Sequence, residues 1–475
     1  MYIIGRKSEQ ELLEECLASR RPEFLAIYGR RRVGKTYLVK EFFDNSFSFY
    51  TTGVKGIHTK QQLKLFKEAL VKYGDQSNAI PKDWFEAFSR LEKILESKEV
   101  KRDYKSGKKV VFLDELPWMA TAKSDFKSAL DYFWNSWGSS QQDLLLIVCG
   151  SATSWIINNI VKDTGGFYNR ITRQMHLMPF QLKECEKLFE ANGLRLSKRQ
   201  IVESYMIFGG IPYYLNYLKP QYSLAQNVEM LFFRENSPLR NEFGQLFASL
   251  FQRADKYVDI IKVLVKGKAG ITRNDLLESG KTVTGKDLTK CLEELEQCGF
   301  IRKYHDFSKK EQGCFYQLTD PLTLFHLTFL ETNKIDSWIH FINTPAYYSW
   351  CGLAFEKVCL LHIEQIKKKL GISGMTTQVL SWKSKMACPG VQIDLLIDRK
   401  DDVVTVCEMK YTLEEYAIDS AYENELERKL NVFREETKTK KALYLTMISF
   451  AGLRKNECSE KVVQVLTGDD LFEND

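Results

Sequence analysis

Long apolar runs are missing from this chain. No uninterrupted stretch of its 475 residues approaches the ~20 apolar residues of a membrane-spanning helix, so no membrane partner is expected. The opening residues, MYIIGRKSEQ, lack an apolar core of the secretory-signal kind. The 11 cysteines lack pattern: there is no C-x-x-C and no paired spacing, which points to free thiols in a reducing compartment. A large charge excess is also missing. The net charge of +6 is compatible with a nucleic-acid partner without arguing for one. Together these absences predict a cytoplasmic protein. Length is what the chain has in plenty: at 475 residues it is too long for one compact core, and about two to four domains are expected.

Phe24 to Tyr37, FLAIYGRRRVGKTY, is the stretch around which the rest is organised. An apolar run reads as a buried strand, and the helical-looking TYLVKEFF follows. Between them Gly29, Arg30, Arg31, Arg32, Val33, Gly34, Lys35 and Thr36 spell G-x-x-x-x-G-K-T. Glycines let the backbone curl so that successive N–H groups point at phosphate oxygens, and the helix adds the positive end of its dipole. Lys35 reaches the β- and γ-phosphates, and Thr36 offers its hydroxyl to Mg²⁺. The bland alternative is a glycine turn between a strand and a helix.

A second strand is expected at Phe47 to Thr51, and helices over residues 60 to 98. Val110 to Leu113 then runs into Asp114 and Glu115. Four apolar residues ending in acids read as a buried parallel strand with carboxylates at its C-terminal edge, where open α/β sheets bind ligands. Asp114 is the expected Mg²⁺ residue, and Glu115 the residue that orients or deprotonates the attacking water. Leu144 to Cys149 is a further buried strand. Ser151, at its tip, is the candidate γ-phosphate sensor, and it can also be the N-cap of the next helix, the two roles not excluding each other. Ile3 to Arg6 either packs on an adenine base or caps a helix from about Ser8 to Ala18. Arg170 and Arg173, in a Gly-led turn, either reach a γ-phosphate or are structural.

IYGRRRVGKT, VVFLDELPWM, CGSATSW, FYNRITRQMHLMPF and FGGIPYYL together resemble the archaeal-type ATPase family of the AAA+/STAND region of P-loop proteins, over essentially the whole chain. The resemblance implies ATP and Mg²⁺ as cofactors, with Lys35, Thr36, Asp114 and Glu115 on the family's ATP-site positions. Arg170 falls at its Gly-Arg turn, with Asn169 in place of the glycine; Arg170 or Arg173 would act in cis, or in trans only if the chain forms a homo-oligomer. Winged-helix and C-terminal nuclease-like modules are implied as well. Leu182 to Phe208 reads as a helical lid closed by the Gly209-Gly210-Ile211-Pro212 break.

From about Asp255 the order is helix, helix, helix, hairpin, the pattern of a winged helix. Its third helix carries Lys286 and Lys290, but also Asp287, Glu293, Glu294 and Glu296. Phosphate contact needs a basic face, so a protein-contact role is favoured over DNA binding. Beyond Tyr347 a helix is expected to open at Gly352 with Glu356 in its first turn. Gln392 to Ile397 and Val403 to Lys410 read as paired strands. Alternate residues of a strand share a face, so Glu408 and Lys410 point together and Asp394 meets them across the hairpin. Two carboxylates bind Mg²⁺ or Mn²⁺, and a lysine beside them orients water and stabilises phosphate charge. The alternative is a surface hairpin with a wet polar face. Asp394, Glu408 and Lys410 resemble the D…E-x-K residues of the PD-(D/E)xK nuclease core, with Glu356 on its upstream helix glutamate.

The expected fold class is therefore α/β multidomain: a P-loop NTPase parallel sheet (1–180), a helical lid (181–250), a winged helix (251–335) and a restriction-endonuclease-like α/β domain (345–475). The expected function is an ATPase coupled to a metal-dependent nuclease acting on DNA or RNA. The alternatives are an ATP-switched binding protein and a metabolic kinase. The Asp114–Glu115 pair argues against the kinase.

Overall fold

The structure is a computed structural model that describes residues 3–162, 169–267, 270–280, 283–307, 314–332, 335–384 and 386–473. It divides into two compact units, Met1–Pro179 and Phe180–Asp475. Among the described residues no helix is long and apolar enough to cross a membrane.

The first unit is built on five strands: β1 (Glu23–Tyr28), β2 (Phe49–Thr52), β3 (Lys109–Asp114), β4 (Leu144–Gly150) and β5 (Arg173–His176). Their order is β2-β3-β4-β1-β5, and every pairing is parallel. Strands β3 and β4 are buried at every position. Both faces of a parallel sheet are covered, so its central strands read as continuous apolar runs. Trp84, Phe88, Phe126 and Trp134 from flanking helices fill one side together with Phe24. Since all strands run the same way, the loops after β1, β3 and β4 leave from one edge. β2 starts two residues later than its sequence suggests, because pairing with β3 begins at Phe49↔Val111.

The second unit opens with helices α1 (Leu182–Ala191) and α2 (Lys198–Phe208). The break after α2 is packed tightly. A Cβ on Gly210 would lie 1.8 Å from the Phe180 carbonyl oxygen, and the Phe180 N–H donates to the Gly210 oxygen at 2.6 Å. Three helices, α3 (Ala254–Lys266), α4 (Arg273–Glu278) and α5 (Gly285–Gln297), follow with a three-stranded antiparallel sheet of β6 (Ile271–Thr272), β7 (Ile301–His305) and β8 (Cys314–Leu318). They share one apolar core around Ile260, Leu276, Leu288, Leu292 and Phe300.

Helix α6 (Pro345–Leu361) leads to a second five-stranded sheet: β9 (Thr377–Lys383), β10 (Gln392–Arg399), β11 (Val403–Lys410), β12 (Ala442–Ser449) and β13 (Gln464–Leu466). β9, β10 and β11 are antiparallel; β11, β12 and β13 are parallel. The parallel crossover from β11 to β12 passes through helix α7 (Ser420–Thr437). A bridge between Asp306 and Ser381 joins the small sheet to the β9 edge. Glu356 does not lie in the first turn of its helix. Thr344 caps α6, accepting from the Tyr347 N–H at 3.2 Å, and Pro345 takes the first position, so the helix starts seven residues before Gly352 and Glu356 is in its interior.

Candidate functional sites: a phosphate loop and a second carboxylate centre

The loop after β1 has a shape that its sequence dictates. Gly29 sits at φ 142°, and a Cβ there would come within 2.3 Å of the Leu177 carbonyl oxygen. No other residue fits where the loop leaves β1. Gly34, at φ 95°, precedes the helix Lys35–Phe42, and Arg32 takes the left-handed region at φ 72° without being glycine. The loop curls over the first turn of that helix. Lys35 Nζ donates to the carbonyls of Gly29 (2.8 Å) and Arg30 (2.9 Å). This ammonium is held inside the loop by acceptors that a phosphate oxygen would replace.

The strand-end acids close on the same edge. Thr36 Oγ1 donates to Asp114 Oδ2 at 2.8 Å. Asp114 is buried, and burial raises its pKa; Glu115 adds to the shift, while the Thr36 hydrogen bond opposes it. Glu115 adopts a left-handed backbone, φ 48°, and its Oε2 accepts from the Ser151 amide (3.2 Å) and hydroxyl (2.9 Å). Ala152, not Ser151, stands at the cap of the following helix Thr153–Ile156. Of the two readings of Ser151, the capping one is therefore not what the structure has: its hydroxyl is committed to Glu115. Thr36 Oγ1 and Asp114 Oδ2 are two oxygen donors already in contact, a set that suits Mg²⁺.

Arg6 belongs to this site, and its role was hidden in sequence. It is buried, with φ 57°, and donates to the carbonyls of Met178 (2.7 Å) and Val33 (3.1 Å) while pairing with Glu9 at 3.3 Å. It thereby anchors the outer limb of the phosphate loop. The Gly5-Arg6 step before the helix Lys7–Ala18 is the signal it leaves. Arg31 lies close enough to Lys55, in the loop after β2, to lower that lysine's pKa, behind burial as the larger cause. Arg170 is exposed ahead of β5, and Arg173 pairs with Leu25 in the β1–β5 register. Gly165, Gly166, Phe167 and Tyr168 of the Gly-led turn lie outside the described residues.

The second centre lies on β10 and β11. Leu395 pairs with Cys407, which brings Asp394 near Glu408, and β10 bulges against β9 between Ile393 and Leu396. Glu408 and Lys410 share a face, and Met409 between them is buried. Both oxygens of Glu408 have partners: Oε1 accepts from the Tyr422 hydroxyl at 2.6 Å, Oε2 from Lys429 Nζ at 2.9 Å, and Lys410 Nζ is 3.6 Å from Oε1. Lys410 Nζ also stands 4.4 Å above the Tyr422 ring. Asp394 accepts from Gln392 through its carboxylate, and its backbone oxygen accepts from Ser381 Oγ (2.6 Å) and Arg302 (3.4 Å). Burial raises the Asp394 pKa, with Gln392 and Lys357 opposing.

Lys357, beside Glu356 on α6, is 5% exposed, and its Nζ makes no hydrogen bond to the described protein. Burial lowers its pKa to about 8 against the attraction of Glu356 and Asp394. Tyr422, Lys429, Lys357 and Arg302 are thus parts of this centre to which the D…E-x-K spacing assigns nothing. Among the described residues no three His, Cys, Asp or Glu side chains are grouped so as to hold a metal ion, so Asp394 and Glu408 stand as a pair.

The phosphate loop on the C-terminal edge of a parallel sheet, with paired acids at the end of β3, defines a P-loop ATPase domain. Residues 4–218 match the family described as an ATPase domain predominantly from Archaea. That match covers the first unit and the opening of the second, and it supports an ATPase domain there. The uncharacterized protein MJECL04 of Methanocaldococcus jannaschii is 25% identical over 409 residues, 84% of this chain and 85% of that one. The uncharacterized ATP-binding protein MJ0423 of the same organism is 45% identical over 45 residues, covering 10% of this chain and 76% of that protein. Among solved structures, the Walker-type ATPase PABY2304 of Pyrococcus abyssi is similar at 20% identity and a TM-score of 0.47, covering 69% of this chain and 96% of that one.

Proposed function

We propose that this ATPase uses Lys35, Thr36, Asp114 and Glu115 to turn over ATP, and that ATP governs a nuclease-like C-terminal domain acting on DNA or RNA in the cytoplasm. In this reading Lys35 leaves the Gly29 and Arg30 carbonyls for the β- and γ-phosphates. Thr36 and Asp114 would hold Mg²⁺, which when bound draws charge off the phosphates. Glu115, held by Ser151, orients the attacking water. Residues 181–250 serve as a lid, and 251–335 as a winged helix whose contacts are with protein. The last point is supported by Arg302 of β7, which is spent on Gln317 Oε1 (2.7 Å) and Ser381 Oγ (2.8 Å).

One observation carries the nuclease part: Asp394 and Glu408 are neighbours on adjacent strands, with Lys410 on the Glu408 face and α6, which bears Glu356, packed against β11. Asp394 and Glu408 would hold the metal, and Lys410 would orient water at the phosphodiester. The second reading, an ATP-switched binding protein with no cleavage, is favoured by the engagement of both Glu408 oxygens.

Labelled single- and double-stranded DNA and RNA, with Mg²⁺ or Mn²⁺ and with or without ATP, separate the two. Cleavage that Asp394→Ala abolishes is the expected result. Nucleotide-dependent binding of nucleic acid without cleavage on any substrate establishes the second reading.

A further inference from the structure

Tyr422 and Lys429 both lie on α7, seven residues apart, so two helical turns bring them to one face. Each takes a different oxygen of Glu408. Burial works against the charge on Lys429, and Glu408 outweighs it, leaving the ammonium's pKa raised. A divalent cation binding Glu408 has to share an oxygen that already accepts from one of these two residues. Oxygen–metal distances are about 2.0–2.6 Å, so the cation would also stand within a few ångströms of a full positive charge. A hydroxyl can turn aside and remain near a metal; an ammonium is repelled by it. The Asp394 side adds to the contrast, since its neighbours Lys357 and Arg302 are cationic too.

We infer that Lys429 and Tyr422 are positioning residues of the second carboxylate centre: they hold Glu408 and control the access of a divalent cation to it, and the Lys429 charge opposes cation binding while it stays on Glu408. The inference rests on the nuclease-like reading of Asp394 and Glu408 and assigns that centre its gate. Both contacts come from α7, the crossover between β11 and β12.

The test is Mn²⁺ binding to the full chain without nucleotide, followed by electron paramagnetic resonance, in an Asp114→Asn background that silences the phosphate-loop metal position. The parent protein is expected to bind Mn²⁺ weakly at this centre. Lys429→Met should bind one ion per chain about tenfold or more tightly, since a competing charge is gone. Lys429→Arg should keep the parent's weak binding, and Tyr422→Phe should give a smaller gain that does not depend on the lysine variant folding. Glu408→Gln added to Lys429→Met should remove the gain.

Parent binding as tight as that of Lys429→Met, and lost in Glu408→Gln, overturns the gate while leaving the nuclease-like reading standing. No binding in any variant overturns the gate; with no cleavage either, the nuclease-like reading fails with it.

Discussion

Asp114 and Glu115 end one strand of the first unit; Asp394 and Glu408 sit across two strands of the second. Both pairs are flanked by buried apolar positions, and both include a half- or fully buried carboxylate whose pKa is raised by burial. Their partners differ in kind. Thr36 and Ser151 offer hydroxyls to the first pair. Lys429, assisted by Tyr422, offers an ammonium to the second. A hydrogen bond to a carboxylate contributes about 1.5–3 kcal/mol net at either centre, and only the ammonium adds a full opposite charge. The first pair is thus held by neutral hydroxyls, of which Thr36 is itself a candidate metal ligand. The second is held by a group whose charge opposes metal. Equal carboxylate counts do not make equal sites: the charge of the partner decides readiness.

The largest expected effect tests the first half of this contrast. Glu115→Gln keeps an oxygen to accept from Ser151 and removes the carboxylate charge. ATP turnover should fall about 10²–10³-fold, the range for losing a positioned general base, with nucleotide affinity changed by no more than about twofold. Phosphate release and fluorescent-nucleotide titration measure the two separately. Unchanged turnover would break the comparison, because Glu115 would then be no more than a strut for Ser151.

The next effect concerns the cations of the second unit. Arg302 bonds Gln317, Ser381 and the Asp394 carbonyl, and its guanidinium lies 4.6 Å from the Tyr304 ring centre. Arg302→Met strips these contacts and leaves acceptors unsatisfied. Stability of the second unit should drop by about 3 kcal/mol in urea unfolding. A loss under about 0.5 kcal/mol, the level of an ordinary surface substitution, would mean that the small sheet and the β9 edge hold together without it.

Much of this was legible in the sequence, and the reason is local. G-x-x-x-x-G-K-T, the apolar run into Asp114-Glu115, and the strand Leu144 onward each carry their structural cause within ten residues, so the parallel sheet and its loaded edge follow from them. Glu408 and Lys410 share a face because a strand alternates, which is local too. What stayed hidden depends on contacts distant in the chain. Arg6 reaches Met178 and Val33, 172 and 27 residues away. Lys429 meets Glu408 across 21 residues and a crossover. Arg302 reaches Ser381 across 79. The misplaced start of α6 has a different origin: Thr344-Pro345 is a helix-start signal, and the small-residue step at Gly352 masks it.

The smallest effect compares single hydroxyls, one at each centre. Ser151→Ala removes the 2.9 Å bond to Glu115 and leaves the 3.2 Å backbone donor in place. Half of the clamp survives, so ATP turnover should fall about fivefold, the equivalent of roughly 1 kcal/mol. Ser151→Thr, which keeps the hydroxyl, should restore most of it. That rescue separates a hydroxyl that positions Glu115 from one that fills space. Tyr422→Phe, the matching change at the second centre, should leave ATP turnover unaltered, because the hydroxyl it removes serves Glu408. If Ser151→Ala instead costs as much as Glu115→Gln, the serine acts on the γ-phosphate itself, and the two carboxylate centres differ by a direct phosphate contact as well as by the charge of their partners.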